Sequence, residues 1–87
     1  MTLVDFYADW CGPCRMISPH LEDLVKKDKG IVLRKVDIVR WNTEICQQYK
    51  INSVPQIWVY DKTGKLVGKV VGVSPDQVDD LVGKAKK

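Results

Sequence analysis

The chain has 87 residues, of which 45% are hydrophobic and 29% are charged, and its formal net charge is +3. This length predicts one domain over residues 1–87, and the composition is typical of an ordered globular protein. The modest charge and scattered lysines argue against binding of nucleic acid. We find no apolar stretch near the roughly 20 residues of a membrane span, and no basic N-terminal region before a long apolar run. We therefore expect a cytoplasmic protein that binds neither nucleic acid nor membrane.

The first predicted element is a buried strand that leads directly into a pair of cysteines. Leu3 to Ala8 is apolar except for Asp5, as expected of a central parallel strand that is covered on both faces. The motif Trp10 to Cys14, with the sequence WCGPC, follows this strand. Apolar residues then recur at helical spacing as far as Gly30, and Pro19 should kink this helix.

A second strand and a short second helix are predicted next. Ile31 to Ile38 forms the strand, and Asn42 can cap the helix that follows it. The inner face of this helix carries Ile45, Cys46 and Tyr49. We interpret Cys46 as a small buried apolar side chain, and a regulatory thiol is the alternative.

The last third of the sequence predicts a hairpin and a third helix. Gln56 to Tyr60 and Lys65 to Val71 are β-rich runs, and Gly64 in their connection suits a short hairpin loop. Ser74 to Gln77 has the composition of a capping box before apolar residues at helical spacing. The element order is therefore β-α-β-α-β-β-α, with a parallel first crossover and an antiparallel hairpin in one mixed sheet.

Two cysteines at C-x-x-C spacing across a strand-to-helix junction can form a disulfide reversibly. Cys11 lies at the helix start, where unpaired N–H groups and the helix dipole favour a thiolate, so we predict that it is the nucleophile. Arg15 adds positive charge and Trp10 limits solvent. Cys14 lies one turn further in, should be more buried, and should resolve the mixed disulfide.

Asp5 is the candidate proton carrier for Cys14. A carboxyl group in an apolar strand has its pKa raised by desolvation, so it can exchange a proton near neutral pH. A hydrogen-bonded structural acid is the alternative. For Pro55, the residues alone favour an ordinary turn proline in the trans form at the entrance of a strand.

A metal site is the alternative function for the cysteine pair, and it would recruit Cys46 and His20. We interpret His20 as a solvated helix residue, because acidic residues follow it closely in the sequence. We therefore expect no bound metal.

Taken together, these residues resemble the thioredoxin family over nearly the whole chain. The resemblance implies that the first cysteine attacks a substrate disulfide, that the second resolves it, and that Pro55 is cis beside the active site. It also implies that Gly72 lines a groove for an extended substrate peptide, with further contacts from Trp10, Gly12, Pro13 and Val54. The matching segments are Val4 to Met16, Pro19, Val36-Asp37, Ser53 to Pro55 and Val71-Gly72.

The sequence also departs from the family pattern. Thioredoxins usually carry a strand and a helix before the strand that leads into the motif, so we expect an α/β minimal thioredoxin fold. This fold has a four-stranded mixed sheet with three helices, and Ile31 to Ile38 lies at its edge. Tyr7 stands where many thioredoxins have an extra tryptophan. The lysine that commonly lies near the buried aspartate aligns with Leu33, so we expect Asp5 to lack a cationic neighbour.

The function that we predict is protein-disulfide reduction in cell redox homeostasis and electron transport. The redox-active disulfide of Cys11 and Cys14 is the only redox group required, and no cofactor is bound. Disulfide-containing proteins are the substrates, and a separate thioredoxin-reductase-like donor supplies electrons. The alternative is a redox-dependent binding module with little turnover. An oxidase or isomerase is not favoured, because the residues between the cysteines are those of reducing family members.

Two further predictions concern surfaces. Arg40 and Trp41 follow the second parallel strand, where open α/β sheets place their binding crevice, so they should flank the active site. The alternative is a loop tryptophan that packs on its own helix. Arg34 and Lys35 place charge on the edge strand, so we expect a monomer.

Overall fold

The computed structural model describes residues 1–38, 44–49, 51 and 53–86, and over these residues it has a four-stranded sheet and three helices. This is the predicted order and fold class. Strand and helix bounds differ from the predicted ones by one or two residues, except that the first helix ends at Lys27. The elements are β1 (Thr2–Tyr7), α1 (Gly12–Lys27), β2 (Val32–Asp37), α2 (Glu44–Tyr49), β3 (Gln56–Tyr60), β4 (Leu66–Val71) and α3 (Pro75–Ala85).

Strand β1 lies inside the sheet, whose order is β2-β1-β3-β4. It pairs in parallel with β2 and antiparallel with β3, and β3 pairs antiparallel with β4. Asp5 therefore lies opposite Lys35 on one side and Ile57 on the other. Strand β2 is the edge strand, as predicted.

The main core lies between one face of the sheet and helices α1 and α3. Leu3 of β1 packs with Ile17 and Leu21 of α1 and with Val78 and Val82 of α3. The first four of these side chains are fully buried. Because side chains alternate along a strand, Asp5 faces the same helical layer as Leu3.

The two long helices differ in detail from their sequence patterns. Helix α1 contains Pro19 in its interior, as predicted, but it ends at Lys27 and not at Gly30, and the Asp28 N–H donates to the Leu24 carbonyl at this end. Ser74 is the N-cap residue of α3, but its side chain makes no capping hydrogen bond, so the predicted capping box does not form.

An aromatic cluster lies on the other face of the sheet. The ring of Phe6 is 4.8 Å from that of Trp58 and 5.4 Å from that of Tyr49, between ring centroids. A cleft of about 290 Å³ lies beside these rings and is also lined by Val4 and Val36. Within the described ranges, no helix has the length and apolar character that crossing a bilayer requires.

Ile17→Ala should lower the free energy of unfolding by about 2–5 kcal/mol, because it opens a cavity at a fully buried core position. The neighbouring Met16 is 70% exposed, so Met16→Ala should change stability by less than about 0.5 kcal/mol. Urea denaturation of both variants checks this prediction. Equal decreases in the free energy of unfolding for the two variants would contradict the assignment of Ile17 to the buried face of α1.

Candidate active site

The cysteine pair lies at the junction of β1 and α1. Cys11 and Cys14 form a disulfide with their Cα atoms 5.3 Å apart. Cys11 is the N-cap residue of α1, and its Sγ accepts a hydrogen bond from the Cys14 backbone N–H at 3.2 Å. Gly12 is the first residue of the helix, and Pro13 lies in its first turn, where a missing N–H removes no helical hydrogen bond. An N–H group aimed at Sγ stabilises negative charge there after reduction, so this geometry supports Cys11 as the nucleophile.

Both sulfurs are shielded in the disulfide form. Cys11 is 5% exposed and Cys14 is 4% exposed, so the two residues are about equally buried in this state, and the greater burial of the Cys14 thiol stays a prediction for the reduced form. The bond between the sulfurs accounts for this, because it draws both into one apolar cluster. Trp10 beside them is about half exposed, and the Arg15 guanidinium donates to the Asp9 carbonyl at 2.8 Å. This bond ties the cation to the loop that precedes Cys11.

The loop before β3 joins the same cluster. The Val54–Pro55 bond is cis, as the family resemblance implies, and the residue-based expectation of a trans bond is wrong. Val54 packs against the apolar cluster that contains Cys11 and Cys14. The Gly72 N–H donates to the Pro55 carbonyl at 3.0 Å, and Gly72 adopts a φ of 89°, which favours glycine. Val54 therefore shares an apolar cluster with the cysteine pair, and Gly72 is bonded to the neighbouring Pro55.

Asp5 is buried behind this surface. It is 1% exposed, and its Oδ1 has no hydrogen-bond partner among the described residues. Burial raises the pKa of Asp5 from 3.8 to about 6, and the positive charge of Lys35 lowers it in part. An acid with this pKa can release or take up a proton near neutral pH.

The predicted lack of a cation near Asp5 is wrong. The parallel register places Lys35 opposite Asp5, whereas Leu33 lies opposite Leu3 in the apolar layer. The Lys35 Nζ also contacts Glu22 Oε1 at 3.2 Å and Ser18 Oγ at 3.3 Å. Lys35 is therefore held between strand β1 and helix α1 by partners on both.

A cleft of about 280 Å³ connects these groups. Tyr7, Cys14, Ser18 and Lys35 are among its lining residues. Solvent in this cleft can therefore approach Cys14 and Lys35, whereas Asp5 is buried and does not line it.

Gln56 is a buried polar residue behind the site that sequence analysis missed. It directly follows Pro55 and is buried, with 6% exposure. Its side chain bonds to Ser53 in the preceding loop and to Trp58 in β3. The available signal was a lone amide side chain at the start of an otherwise apolar strand.

The other residues singled out in the sequence are not placed at the active site by the described part of the chain. His20 contacts Asp79 at 2.8 Å and is partly buried, so it links α1 to α3 and is not simply solvated. No group of three or more His, Cys, Asp or Glu side chains in the described ranges could hold a metal ion. Arg40, Trp41 and the side chain of Cys46 lie outside the described residues.

Comparisons with known proteins identify a family. The thioredoxin family model matches residues 1–86. The chain is 37% identical to a thioredoxin H-type from Ricinus communis over 84 residues, which are 97% of this chain and 70% of that protein. It is 39% identical to the mitochondrial thioredoxin of Mus musculus, of which it spans 49%. Reduced Schistosoma mansoni thioredoxin pre-protein superposes with a TM-score of 0.79 at 36% identity, covering 95% of this chain and 76% of that one.

Asp5→Asn should make the stability of the oxidised protein less dependent on pH. In the folded state the pKa of Asp5 is above its unfolded value, so wild-type stability falls as pH rises from about 4 to 6. Asp5→Asn has no ionisable carboxyl group at this position, so its stability does not fall in this way. Its advantage in unfolding free energy over wild type should therefore grow by about 3 kcal/mol between pH 3.5 and 7.5.

Urea denaturation at several pH values measures this difference. Asp9→Asn removes an exposed carboxylate from the same segment and serves as the control for net charge. A constant difference between Asp5→Asn and wild type across this pH range would contradict a raised pKa at Asp5.

Lys35→Met should raise the pKa of Asp5 further, because it removes the charge that lowers this pKa. Carbon-13 NMR titration of the Asp5 carboxyl group measures the change. Arg34 is the matched control, since it is the preceding residue on β2 and its side chain points to the opposite face. An Asp5 pKa that responds equally to Arg34→Met and Lys35→Met would show that net charge alone acts.

Proposed function

The chain belongs to the thioredoxin family, and we propose that it is a protein-disulfide reductase that works through Cys11 and Cys14. The observation that supports this proposal is the Cys11–Cys14 disulfide at the start of α1. The Cys11 Sγ accepts a backbone hydrogen bond, and the buried Asp5 lies behind the disulfide. Asp5 also argues against a binding module with little turnover, because a module of that kind needs no proton carrier.

The first step begins from the reduced protein. The Cys11 thiolate attacks one sulfur of a substrate disulfide, and the substrate S–S bond breaks as a mixed disulfide forms. The second substrate sulfur leaves as a thiolate and takes up a proton. The N–H bond to Cys11 Sγ favours the attacking anion, and the α1 dipole adds to this effect.

The second step releases the substrate. Cys14 transfers its proton to Asp5 and attacks the Cys11 sulfur of the mixed disulfide. The remaining substrate thiolate leaves, and the Cys11–Cys14 disulfide forms. Two electrons thus pass from the protein to the substrate. The raised pKa of Asp5 suits this transfer, and Lys35 moderates the cost of the aspartate charge.

Substrate contacts are proposed for the surface around the disulfide. An extended peptide would lie along the backbone at Val54, where the chain turns before β3. Arg40 and Trp41 remain proposed flanking contacts. The residues proposed to contact this peptide in the described part of the chain are Trp10, Gly12, Pro13, Val54, Pro55 and Gly72.

The remaining features of this proposal concern the cellular setting. Regeneration needs a separate dithiol donor of the thioredoxin-reductase kind, and no bound cofactor takes part. We propose that residues 1–87 act as one monomeric domain, because Arg34 and Lys35 place charge on the edge strand. A cytoplasmic location is also proposed, although a similar protein is mitochondrial.

Cys11→Ser should abolish disulfide reduction, whereas Cys14→Ser should accumulate mixed disulfides, because only the second variant keeps the attacking sulfur. Insulin with dithiothreitol as donor measures turnover, and mass spectrometry of Cys14→Ser identifies the trapped species. Alkylation of the reduced wild type at neutral pH should label Cys11 first. Preferential labelling of Cys14 would reverse the two roles.

A further inference from the structure

Gln56 has a buried polar side chain that the exchange chemistry does not use. Among the described residues, the buried polar or charged side chains are Asp5 and Gln56. Asp5 has a role as proton carrier in the proposed mechanism. A buried amide costs free energy unless its hydrogen bonds are made, so the partners of Gln56 indicate what it does.

The Gln56 amide connects a loop to the core. Its Nε2 donates to the Ser53 carbonyl at 3.0 Å and approaches Ser53 Oγ at 3.4 Å, and its Oε1 accepts from Trp58 Nε1 at 3.0 Å. The orientation of the amide follows from chemistry, because an indole N–H only donates and a backbone carbonyl only accepts. We call this set of three residues, Ser53, Gln56 and Trp58, the Gln56 bridge.

The core end of the Gln56 bridge is held firmly. The Trp58 ring lies 4.8 Å from the Phe6 ring and 5.6 Å from the Tyr49 ring, between centroids. On β4, Lys69 lies opposite Trp58, and its Nζ is 4.1 Å from the centre of the Trp58 ring. These contacts restrict the indole from several sides, so its N–H is a fixed point for Gln56.

The loop end of the Gln56 bridge lies in a less supported segment. Ser53 and Val54 belong to neither a strand nor a helix, and both are only partly buried. Val54 packs against the cluster that holds both cysteines, so a shift of this backbone changes the surface beside the disulfide.

We infer that Gln56 is a positioning residue for protein substrates. Through the Gln56 bridge it fixes the backbone of Ser53 and Val54 beside the disulfide, so that the edge offered to an extended substrate peptide is preorganised. This inference rests on the proposed reductase function. Preorganisation lowers the ordering cost of binding, so its loss should raise KM for a protein disulfide and leave kcat nearly unchanged.

Two substitutions at Gln56 test the inference. Gln56→Leu removes both hydrogen bonds at a similar side-chain size. Gln56→Glu keeps the shape, but an ionised carboxylate cannot donate to the Ser53 carbonyl, whereas a protonated carboxyl group can. Val59→Ala is the matched control for lost stability, because Val59 is fully buried on the same strand and packs in the other core layer.

Gln56→Leu should raise KM for insulin roughly fivefold, the factor expected when the loop loses its one hydrogen bond from Gln56 to the Ser53 carbonyl, with kcat within twofold of wild type. Reduction of a small aromatic disulfide, which has no peptide to align, should be unchanged. Gln56→Glu should resemble Gln56→Leu at pH 8 and approach wild type as pH falls toward 5.5, each compared with wild type at the same pH. Val59→Ala should leave KM unchanged.

The inference would be overturned if Val59→Ala raised KM for insulin as much as Gln56→Leu does. It would also be overturned if Gln56→Leu reduced the small disulfide with an equal loss of activity, or if KM of Gln56→Glu did not approach the wild-type value at low pH. Failure of the reductase proposal is distinguishable, because wild type would then turn over neither disulfide. In that case the backbone NMR order parameter of Val54 still decides whether Gln56 fixes the loop. It should fall in Gln56→Leu and not in Val59→Ala, and equal values in wild type and Gln56→Leu would overturn the inference.

Discussion

Hydrogen bonding of β1 to a strand on each side determines where the reactive groups of this protein lie. Its parallel neighbour β2 and antiparallel neighbour β3 hold the strand in the middle of the sheet. The Ile38 N–H continues the parallel ladder by donating to the Tyr7 carbonyl at 2.9 Å. The strand therefore cannot shift without breaking hydrogen bonds on both edges, and the cysteine loop starts from a fixed point.

The same pairing forces a carboxyl group into the interior. Asp5 lies between Lys35 and Ile57 and faces the layer of α1, so it loses most of its hydration. The raised pKa corresponds to about 3 kcal/mol of lost stability at neutral pH. That is a large fraction of the roughly 5–15 kcal/mol that stabilises a typical domain. The apolar core around Leu3, Ile17 and Leu21 offsets this cost, and the proposed proton transfer would explain why an acid is placed here.

Two buried polar side chains thus serve opposite requirements. Burial raises the pKa of Asp5 to about 6, so its carboxyl group can change protonation state near neutral pH. Both polar ends of the Gln56 amide are bonded, which makes it suited to hold a backbone in place. Burial thus shifts the pKa of an ionisable group in one case and encloses a hydrogen-bonded amide in the other.

Local patterns were sufficient to predict the element order, the cysteine pair at the start of α1 and the raised pKa of Asp5. Each of these depends on neighbours in the chain: apolar periodicity, the strand-to-helix junction at Cys11, and a single acid within an apolar run. The cis form of Pro55 was implied by the family resemblance and not by the residues alone, because only about 5–6% of X-Pro bonds in folded proteins are cis. What the tertiary structure decided involves residues far apart in the chain. Lys35 reaches Asp5 because parallel strand pairing sets the register, and Gln56 acquires its role because Trp58 is held by rings from other elements. Register and packing of this kind arise from the summed contacts of several elements, and no local spacing in the sequence encodes them.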